Sequence, residues 1–297
     1  MTTVPFPEQR TFEGRSLPRP DEPVFDQGLA FDVGTISRRR VIQALGFGVV
    51  SAGLFTIAGC EPSGAGSSAS AGAQATIDAT AASCAVIPGE TAGPYPGDGT
   101  NGPDVLTESG VVRRDIRSSI GGASGMAAGI PLTIRLQIVD AADGCAPMDG
   151  AAVYLWHCDQ AGRYSMYSAG VEDENYLRGV QASGADGIVE FLTVFPGCYQ
   201  GRWPHVHFEV YPDIAAATDA SNIIATSQLA LPQAICDEVY ATTGYESSAR
   251  NLEGQTIESD NIFGDENGAT RQLGIVSGSL DSDLAIELVV PVVADRG

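Results

Sequence analysis

The chain has 297 residues, of which 43% are hydrophobic, and a formal net charge of −21 at pH 7. This length allows one large domain or two small ones with a sizeable core. The acidity argues against a nucleic-acid partner, which would call for a basic surface. With 36 glycines, 17 prolines and only 18% charged residues, the composition favours a turn-rich β protein over a helical one.

The N-terminal region has the pattern of a targeting sequence. Residues 1–36 are polar and proline-rich without hydrophobic periodicity, which predicts a disordered leader. In residues 37–60, paired arginines at Arg38 and Arg39 precede a short apolar run, as in a twin-arginine export signal. The run is shorter than the ~20 residues that span a bilayer, and it ends at Cys60 in a lipobox-like sequence. We therefore expect an exported protein, either lipid-anchored at Cys60 on the outer face of the cell membrane or secreted.

The folded domain is expected at residues 83–297, after a Ser/Ala/Gly-rich stretch at 61–82 that predicts a flexible linker. This domain contains five cysteines: Cys84, Cys145, Cys158, Cys198 and Cys236. In an oxidising compartment the simple arithmetic is two disulfides and one free thiol. A disulfide between Cys158 and Cys198 would cross-link the segments that carry the candidate site residues. Ligation of zinc by one of these two thiols is the competing use.

Short strands separated by turns dominate the domain. Residues 130–139 alternate apolar and polar positions, residues 151–158 are rich in β-branched and aromatic side chains, and an Asp186-Gly187 turn predicts a hairpin. The expected strands are 130–139, 151–158, 176–181, 188–194, 205–211, 223–231, 275–280 and 284–293, and the expected helix is 232–241. This series predicts a mainly β fold with an antiparallel β-sandwich core, loops and a few short helices.

Two of the chain's three histidines, His205 and His207, alternate along a predicted strand and therefore point to the same side of it. Tyr199 lies across a glycine-containing bend from them, and Tyr164 follows another glycine turn. Two imidazoles and two phenolates are a set that suits Fe(III) better than zinc. A surface pair of histidines, or a zinc or copper site completed by a cysteine, is the alternative.

The domain resembles the intradiol ring-cleavage dioxygenases, in particular their short exported bacterial members. The resemblance covers roughly Cys84 to the C-terminus and depends on the order of several motifs. These motifs are Gly93-Pro-Tyr95, Trp156-His-Cys-Asp-Gln-Ala-Gly-Arg-Tyr-Ser165, Leu177-Arg-Gly-Val-Gln181, Pro196-Gly-Cys-Tyr-Gln-Gly-Arg-Trp-Pro-His-Val-His207 and Thr226-Ser-Gln-Leu229.

The resemblance implies a role for each matching residue. A non-haem Fe(III) would be held by Tyr164, Tyr199, His205 and His207. Arg202 would lie beside the iron and stabilise a carbanion-like form of the substrate, while Tyr199 would leave the iron and take a substrate proton. Gln228 would lie near the bound catechol ring, and Tyr95 would line the substrate pocket.

The implied activity is cleavage of a catechol-type ring between its two hydroxyl-bearing carbons with O2, which gives a muconate-type diacid. The partners would then be a small aromatic diol and O2. A surface module that binds aromatics or carbohydrate and keeps a vestigial metal site is the alternative function. Two nearby residues are expected to be structural: His157 as a packing residue and Arg178 as the partner of an acid in the hairpin. Tyr176 competes with Tyr164 for the role of metal ligand.

The targeting pattern predicts the mature N-terminus. If the lipobox-like sequence is used, mass spectrometry of the protein from its native host should find Cys60 as the first residue, carrying lipid. Cleavage near Ala58 by an ordinary peptidase, or an uncleaved anchor, would instead leave a different first residue, and this outcome would refute the lipoprotein prediction.

Overall fold

The computed structural model describes residues 84–265 and 268–294, together with Thr11–Phe12 and Arg15–Ser16. The chain divides into two units, residues 1–79 and 80–297. In the first unit, β1 (Thr11–Phe12) pairs antiparallel with β2 (Arg15–Ser16). The rest of the predicted leader, the predicted signal at 37–60 and the linker at 61–82 lie outside the described residues. Within the described part of the chain, no helix is long and apolar enough to cross a membrane.

The second unit is a β-sandwich with short helices. Its strands are β3 (Pro131–Asp140), β4 (Ala146–Pro147), β5 (Ala152–Trp156), β6 (Arg178–Ala182), β7 (Ile188–Val194), β8 (His205–Tyr211), β9 (Ala225–Ala230), β10 (Ile275–Ser279) and β11 (Ser282–Val292). Its α-helices are α1 (Gln233–Tyr240), α2 (Glu246–Leu252) and α3 (Gly268–Arg271). The predicted fold class is confirmed.

One sheet has the order β10-β11-β3-β4, with β7 also paired to β3. All of its pairs are antiparallel except β11 with β3, which run parallel. The burial of β3 follows the alternation of apolar and polar residues in its sequence. Every second side chain from Leu132 to Ile138 is buried against the other sheet, while the intervening residues are partly exposed.

The other sheet has the order β6-β5-β8-β9 and is antiparallel throughout. One of its two inner strands, β8, is buried at all seven positions, since both of its faces are covered. Leu155 and its partner Phe208 face the first sheet, and the alternate residues Trp156 and His207 face the opposite side. The site is built on this opposite face.

Two segments outside the sheets hold the sandwich together near the site. The chain at 111–116 runs along the edges of both sheets, where Arg113 N donates to Val180 O (3.0 Å) and Ile116 N donates to Leu192 O (3.0 Å). Helix α2 supports the loop before Tyr199: Cys198 N donates to Ser248 Oγ (2.9 Å) and Asn251 Nδ2 donates to Cys198 O (2.8 Å).

The predicted strands and the predicted helix are confirmed, with ends that differ by a few residues, but the hairpin around Asp186-Gly187 is wrong. Strand β6 pairs with β5, and β7 pairs with β3 in the other sheet. The turn therefore carries the chain between sheets. Gly187 has a φ of 75°, and a Cβ there would collide with the carbonyl of Ile138. Asp186-Gly187 does form a turn, as predicted. The strand with which each neighbouring segment pairs depends instead on which of its faces is buried.

The cysteine predictions are also wrong in part. Cys84 and Cys145 form a disulfide, whereas Cys158, Cys198 and Cys236 are free and buried. The proposed bond between Cys158 and Cys198 is absent because each thiol is directed at a backbone carbonyl instead. The Sγ atom of Cys158 lies 3.4 Å from Gly197 O, and that of Cys198 lies 3.4 Å from Arg202 O.

The disulfide should contribute measurably to stability. It closes a loop with a sequence separation of 61, for which chain entropy predicts about 4 kcal/mol. The double variant Cys84→Ser/Cys145→Ser should lose roughly this free energy of unfolding in urea titrations. Wild-type protein treated with a reductant should lose as much, while the variant should not respond to reductant. An equal response of both proteins to reductant would contradict the assignment.

Candidate functional site

The register of the second sheet aligns several site residues in one row. His207 of β8 lies opposite Trp156 of β5 on one side and Gln228 of β9 on the other. Arg178 of β6 lies opposite Trp156, which extends the row to the sheet edge. Directly opposed residues of paired strands share a face, so all four side chains belong to the face that the loops cover.

The four predicted metal ligands come together on this face. The Tyr199 hydroxyl lies 3.1 Å from His205 Nε2, and His205 Nε2 lies 3.1 Å from His207 Nε2. The Tyr164 ring packs edge-on against both Tyr199 and His207, with centroid separations of 5.8 and 6.1 Å. Tyr164, His205 and His207 are buried and Tyr199 is half-buried. Two imidazole nitrogens and two phenol oxygens therefore converge in a place shielded from water.

Two details show that this cluster fits a metal ion. His205 Nδ1 donates to the carbonyl of Trp203 at 2.5 Å, which fixes the tautomer and leaves the Nε2 lone pair facing the cluster. The Tyr164 hydroxyl is buried without a hydrogen-bond partner in the described part of the chain, an arrangement that costs about 1–3 kcal/mol when nothing compensates it. A bound cation would compensate it, and the hard oxygen and imidazole donors suit ferric iron.

The nearby thiols do not complete a different metal site. Across residues 84–265 and 268–294, no three His, Cys, Asp or Glu side chains are arranged to hold a metal. The thiols of Cys158 and Cys198 are directed at backbone carbonyls, as described above. The zinc or copper alternative built with a cysteine therefore has no support in this geometry.

Burial sets the protonation states of the four candidate ligands. It lowers the pKa of His205 and His207 well below the usual value, and the charge of Arg202 adds to this effect. Both imidazoles are thus neutral near pH 7 and can donate lone pairs. Burial raises the pKa of Tyr199 to about 12 and the pKa of Tyr164 well above its usual value. The phenols therefore need an adjacent cation in order to ionise at neutral pH.

Arg202, which the resemblance places beside the iron, lies next to the Tyr199 oxygen. Its Nη1 is 3.5 Å from the Tyr199 hydroxyl, and its Nη2 donates to Gln228 Oε1 at 2.7 Å. Gln228 is held in turn by the bond from its Nε2 to Thr91 O at 3.0 Å. The predicted pair of Arg202 and Gln228 is thus a hydrogen-bonded unit at the edge of the ligand cluster.

Tyr95 forms part of an aromatic wall next to the ligands. Its ring centroid lies 5.1 Å from that of Tyr164 and 5.0 Å from that of Tyr167. The loop that carries Tyr95 approaches the cluster closely: Gly93 has a φ of 72°, and a Cβ there would lie 3.2 Å from His207 Cε1. Glycine is required at this position by both its backbone conformation and its contact with His207.

Among the spare residues, Tyr176 and Arg178 have structural contacts. The Tyr176 hydroxyl lies 3.3 Å from Asp159 Oδ2, and Tyr176 takes no part in the ring cluster around His207. The expected pairing of Arg178 with an acid is wrong. This buried guanidinium donates to neutral oxygens, which are Pro96 O (2.7 Å), Ser165 O (3.0 Å), Ser165 Oγ (3.1 Å) and the Tyr154 hydroxyl (3.1 Å).

Sequence reasoning missed Asp260, which lies outside every recognised motif. Its side chain is fully buried and accepts a hydrogen bond from Arg202 Nε at 2.9 Å. The pattern around Asp260 resembles many polar loops, and no periodicity connects it to Arg202, so the sequence offered no signal. The sequence also missed the stack of Trp156 on His207, whose rings are nearly parallel at a centroid distance of 5.0 Å.

His157 is a packing residue, as expected, and points away from the cluster. Its Nδ1 donates to Cys158 O (2.8 Å) and its Nε2 accepts from Thr193 Oγ1 (2.7 Å), on the first sheet. Burial lowers the pKa of His157 to about 4. All three histidines are therefore neutral at pH 7 for the same reason, but only two of them face the site.

The fold and the site define a β-sandwich protein that could hold a metal through two tyrosines and two histidines. Comparison with known proteins finds similarity to dioxygenases. A sequence model of the family described as dioxygenase matches residues 102–215. Catechol 1,2-dioxygenase 1 of Acinetobacter lwoffii is 35% identical over 88 residues, which cover 23% of this chain and 28% of that protein. Chlorocatechol 1,2-dioxygenase of Rhodococcus opacus is 35% identical over 54 residues, which cover 18% and 21%.

A solved structure extends the similarity to most of the domain. An intradiol ring-cleavage dioxygenase from Tetranychus urticae aligns with a TM-score of 0.55 and 25% identity, over 71% of this chain and 95% of that one. The chain spans less than a third of the length of the two relatives matched by sequence. Together with the residues at the site, these matches show that the domain is similar to intradiol ring-cleavage dioxygenases in sequence and in fold.

His157 provides a test of the packing between the sheets. Its folded pKa of about 4 lies below the ordinary value of 6.5, so the unfolded chain binds more protons between these values. Stability should therefore fall as the pH drops from 6.5 to 4, by about 3 kcal/mol for this residue. In urea titrations, the stability difference between wild type and His157→Gln should shrink by that amount over this range. A difference that does not change with pH would contradict the buried neutral state.

Proposed function

We propose that the protein is a non-haem Fe(III) intradiol dioxygenase. It would cleave a catechol-type aromatic between its two hydroxyl-bearing carbons and place both atoms of O2 in a muconate-type diacid. The observation that carries the proposal is the convergence of Tyr164, Tyr199, His205 and His207 beside Arg202. The two sequence relatives are named for catechol and chlorocatechol, which supports an aromatic diol as the substrate.

Tyr164, Tyr199, His205 and His207 would hold the iron. When bound, ferric iron would supply the Lewis acidity that ionises the diol and makes its ring reactive toward O2. The protein keeps both imidazoles neutral through burial and fixes the His205 ring through Trp203 O. Trp156 fixes the His207 ring by stacking. These contacts leave little freedom in the imidazole pair before any ligand binds.

Tyr199 is the residue that we expect to move a proton. Of the two phenols it is the more exposed, and its hydroxyl lies within 3.5 Å of Arg202 Nη1. Burial raises the pKa of Tyr199 to about 12, so its phenolate, once released from a cation, is a strong enough base to accept a proton from a diol hydroxyl. No separate general base is needed.

Arg202 would stabilise negative charge on the ring as it develops. Its guanidinium is fixed by Gln228 and Asp260, so it is already oriented before the reaction, and such preorganised charge is effective in a site that excludes water. The wall of Tyr95, Tyr164 and Tyr167 offers a flat apolar surface against which an aromatic ring can pack. The alternative of a binding module is not favoured, since it explains neither the oriented guanidinium nor the matches to dioxygenases.

We also propose that the enzyme acts outside the cytoplasm. This proposal is supported by the arginine pair, the short apolar run and the lipobox-like sequence that ends at Cys60. The twin-arginine route exports folded proteins, which suits a protein that acquires its metal before export. The proposed sites of residence are the outer face of the cell membrane, through a lipid at Cys60, or the medium.

The color and the activity of the iron-loaded protein test this function. Wild-type protein should be burgundy from tyrosinate-to-iron charge transfer, the band should shift when catechol is added without O2, and O2 should then give the diacid. Tyr199→Phe should lose part of the absorbance and slow catechol turnover by about a hundredfold or more. Tyr176→Phe is the matched control, because the Tyr176 hydroxyl contacts Asp159 and not the ligand cluster. This variant should keep both properties. Colourless wild-type protein after iron loading would refute the proposal.

A further inference from the structure

Asp260 makes more polar contacts with Arg202 than any other side chain in the described part of the protein. Its Oδ2 accepts from Arg202 Nε (2.9 Å) and from Trp203 N (2.7 Å). Its Oδ1 accepts from Ile262 N (2.9 Å) and Phe263 N (3.1 Å), and lies 3.5 Å from Arg202 Nη2. Both oxygens are thus fully engaged, and backbone donors on both sides hold the carboxylate in one orientation.

This carboxylate determines the direction of the guanidinium. With Nε bonded to Asp260, the plane of Arg202 is fixed, and its remaining nitrogens point to Gln228 Oε1 (2.7 Å) and to the Tyr199 hydroxyl (3.5 Å). The Phe263 ring lies under the guanidinium, 5.9 Å from Cζ to the ring centroid. Since Phe263 N is itself bonded to Asp260, a single loop supplies both the carboxylate and the ring.

The pair is also balanced in charge. The side chain of Asp260 is 0% exposed and that of Arg202 is 14% exposed, so each ion is largely removed from water and depends on the other. Burial alone would lower the pKa of Arg202, but the Asp260 carboxylate, together with Tyr199 and Tyr164, outweighs this effect and the net shift is upward. The cation near Tyr199 therefore persists at any pH at which the protein is folded.

We propose that Asp260 is a positioning residue for catalysis, which acts on the reaction through Arg202. The inference rests on the proposed function and adds a residue from outside the segment that matches the family. Asp260 touches neither the candidate ligands nor the pocket wall in the contacts described above. Its contribution is to hold the guanidinium at the place where negative charge develops, so its loss should affect turnover more than substrate binding.

A double-mutant cycle tests whether Asp260 acts through Arg202. Per bound iron, Asp260→Asn should lower kcat about tenfold or more while KM changes less than about threefold. Arg202→Gln should lower it further, and the double variant Arg202→Gln/Asp260→Asn should be no slower than Arg202→Gln alone. Asp140→Asn is the control, because Asp140 is also buried and lies in β3, in the other sheet; its rate should equal that of wild type. Asp260→Glu keeps the carboxylate and should therefore recover part of the rate. This variant replaces Asp260→Asn in the test if the Asn variant does not fold.

The absorbance of the resting iron-loaded protein gives a readout that needs no turnover. The guanidinium near Tyr199 stabilises the phenolate, so Asp260→Asn should move the charge-transfer band to longer wavelength, in the same direction as Arg202→Gln, and the double variant should show no further shift. Additive losses in kcat, or an unmoved band in Asp260→Asn, would overturn the role of Asp260 alone. Wild-type protein without a band, or with a band but without catechol turnover, would overturn the proposed function and the role of Asp260 with it.

Discussion

The pairing of β8 with β5 and β9 is the constraint on which the rest of the site depends. It puts Trp156, His207 and Gln228 in one row, and the alternation along β8 adds His205 to the same face. A shift of this register by one residue would turn both imidazoles toward the first sheet and bring Val206 and Phe208 to the site. The apolar side chains that fill the sandwich therefore fix the position of the polar side chains on its other face.

Two arginines, Arg178 which is fully buried and Arg202 which is partly buried, lie near the imidazoles and are stabilised in different ways. Arg202 has a carboxylate partner, whereas the four bonds of Arg178 all go to carbonyl or hydroxyl oxygens. Both charges contribute to the low pKa of His207, after burial and the neighbouring His205. The protein thus keeps its imidazoles unprotonated through burial and a positive field, even though the chain as a whole carries a net charge of −21.

The sequence was most informative where a local pattern and a buried face coincide. Strand β8, its two histidines and helix α1 were predictable because periodicity shows which side chains share a face. The choice of Tyr164 over Tyr176 came from the family motif, and the geometry around His207 agrees with it. Three features depended on distant partners and were not predictable: the sheet in which β7 lies, the pairing of Cys84 with Cys145, and the contact of Asp260 with Arg202 across 58 residues.

The anchoring of Pro96 by the buried Arg178 has a consequence for where the functional unit begins. This bond fixes the loop that brings Gly93 and Tyr95 to the site, and the loop precedes the segment 102–215 that the family model recognises. Gln228 and Asp260 lie beyond the other end of that segment. A fragment cut to residues 102–215 would keep all four candidate ligands but lose Tyr95 of the pocket wall, Gln228 and Asp260. The residues that form and support the site therefore run from Thr91, which holds Gln228, to Phe263, which holds Asp260 and lies under Arg202.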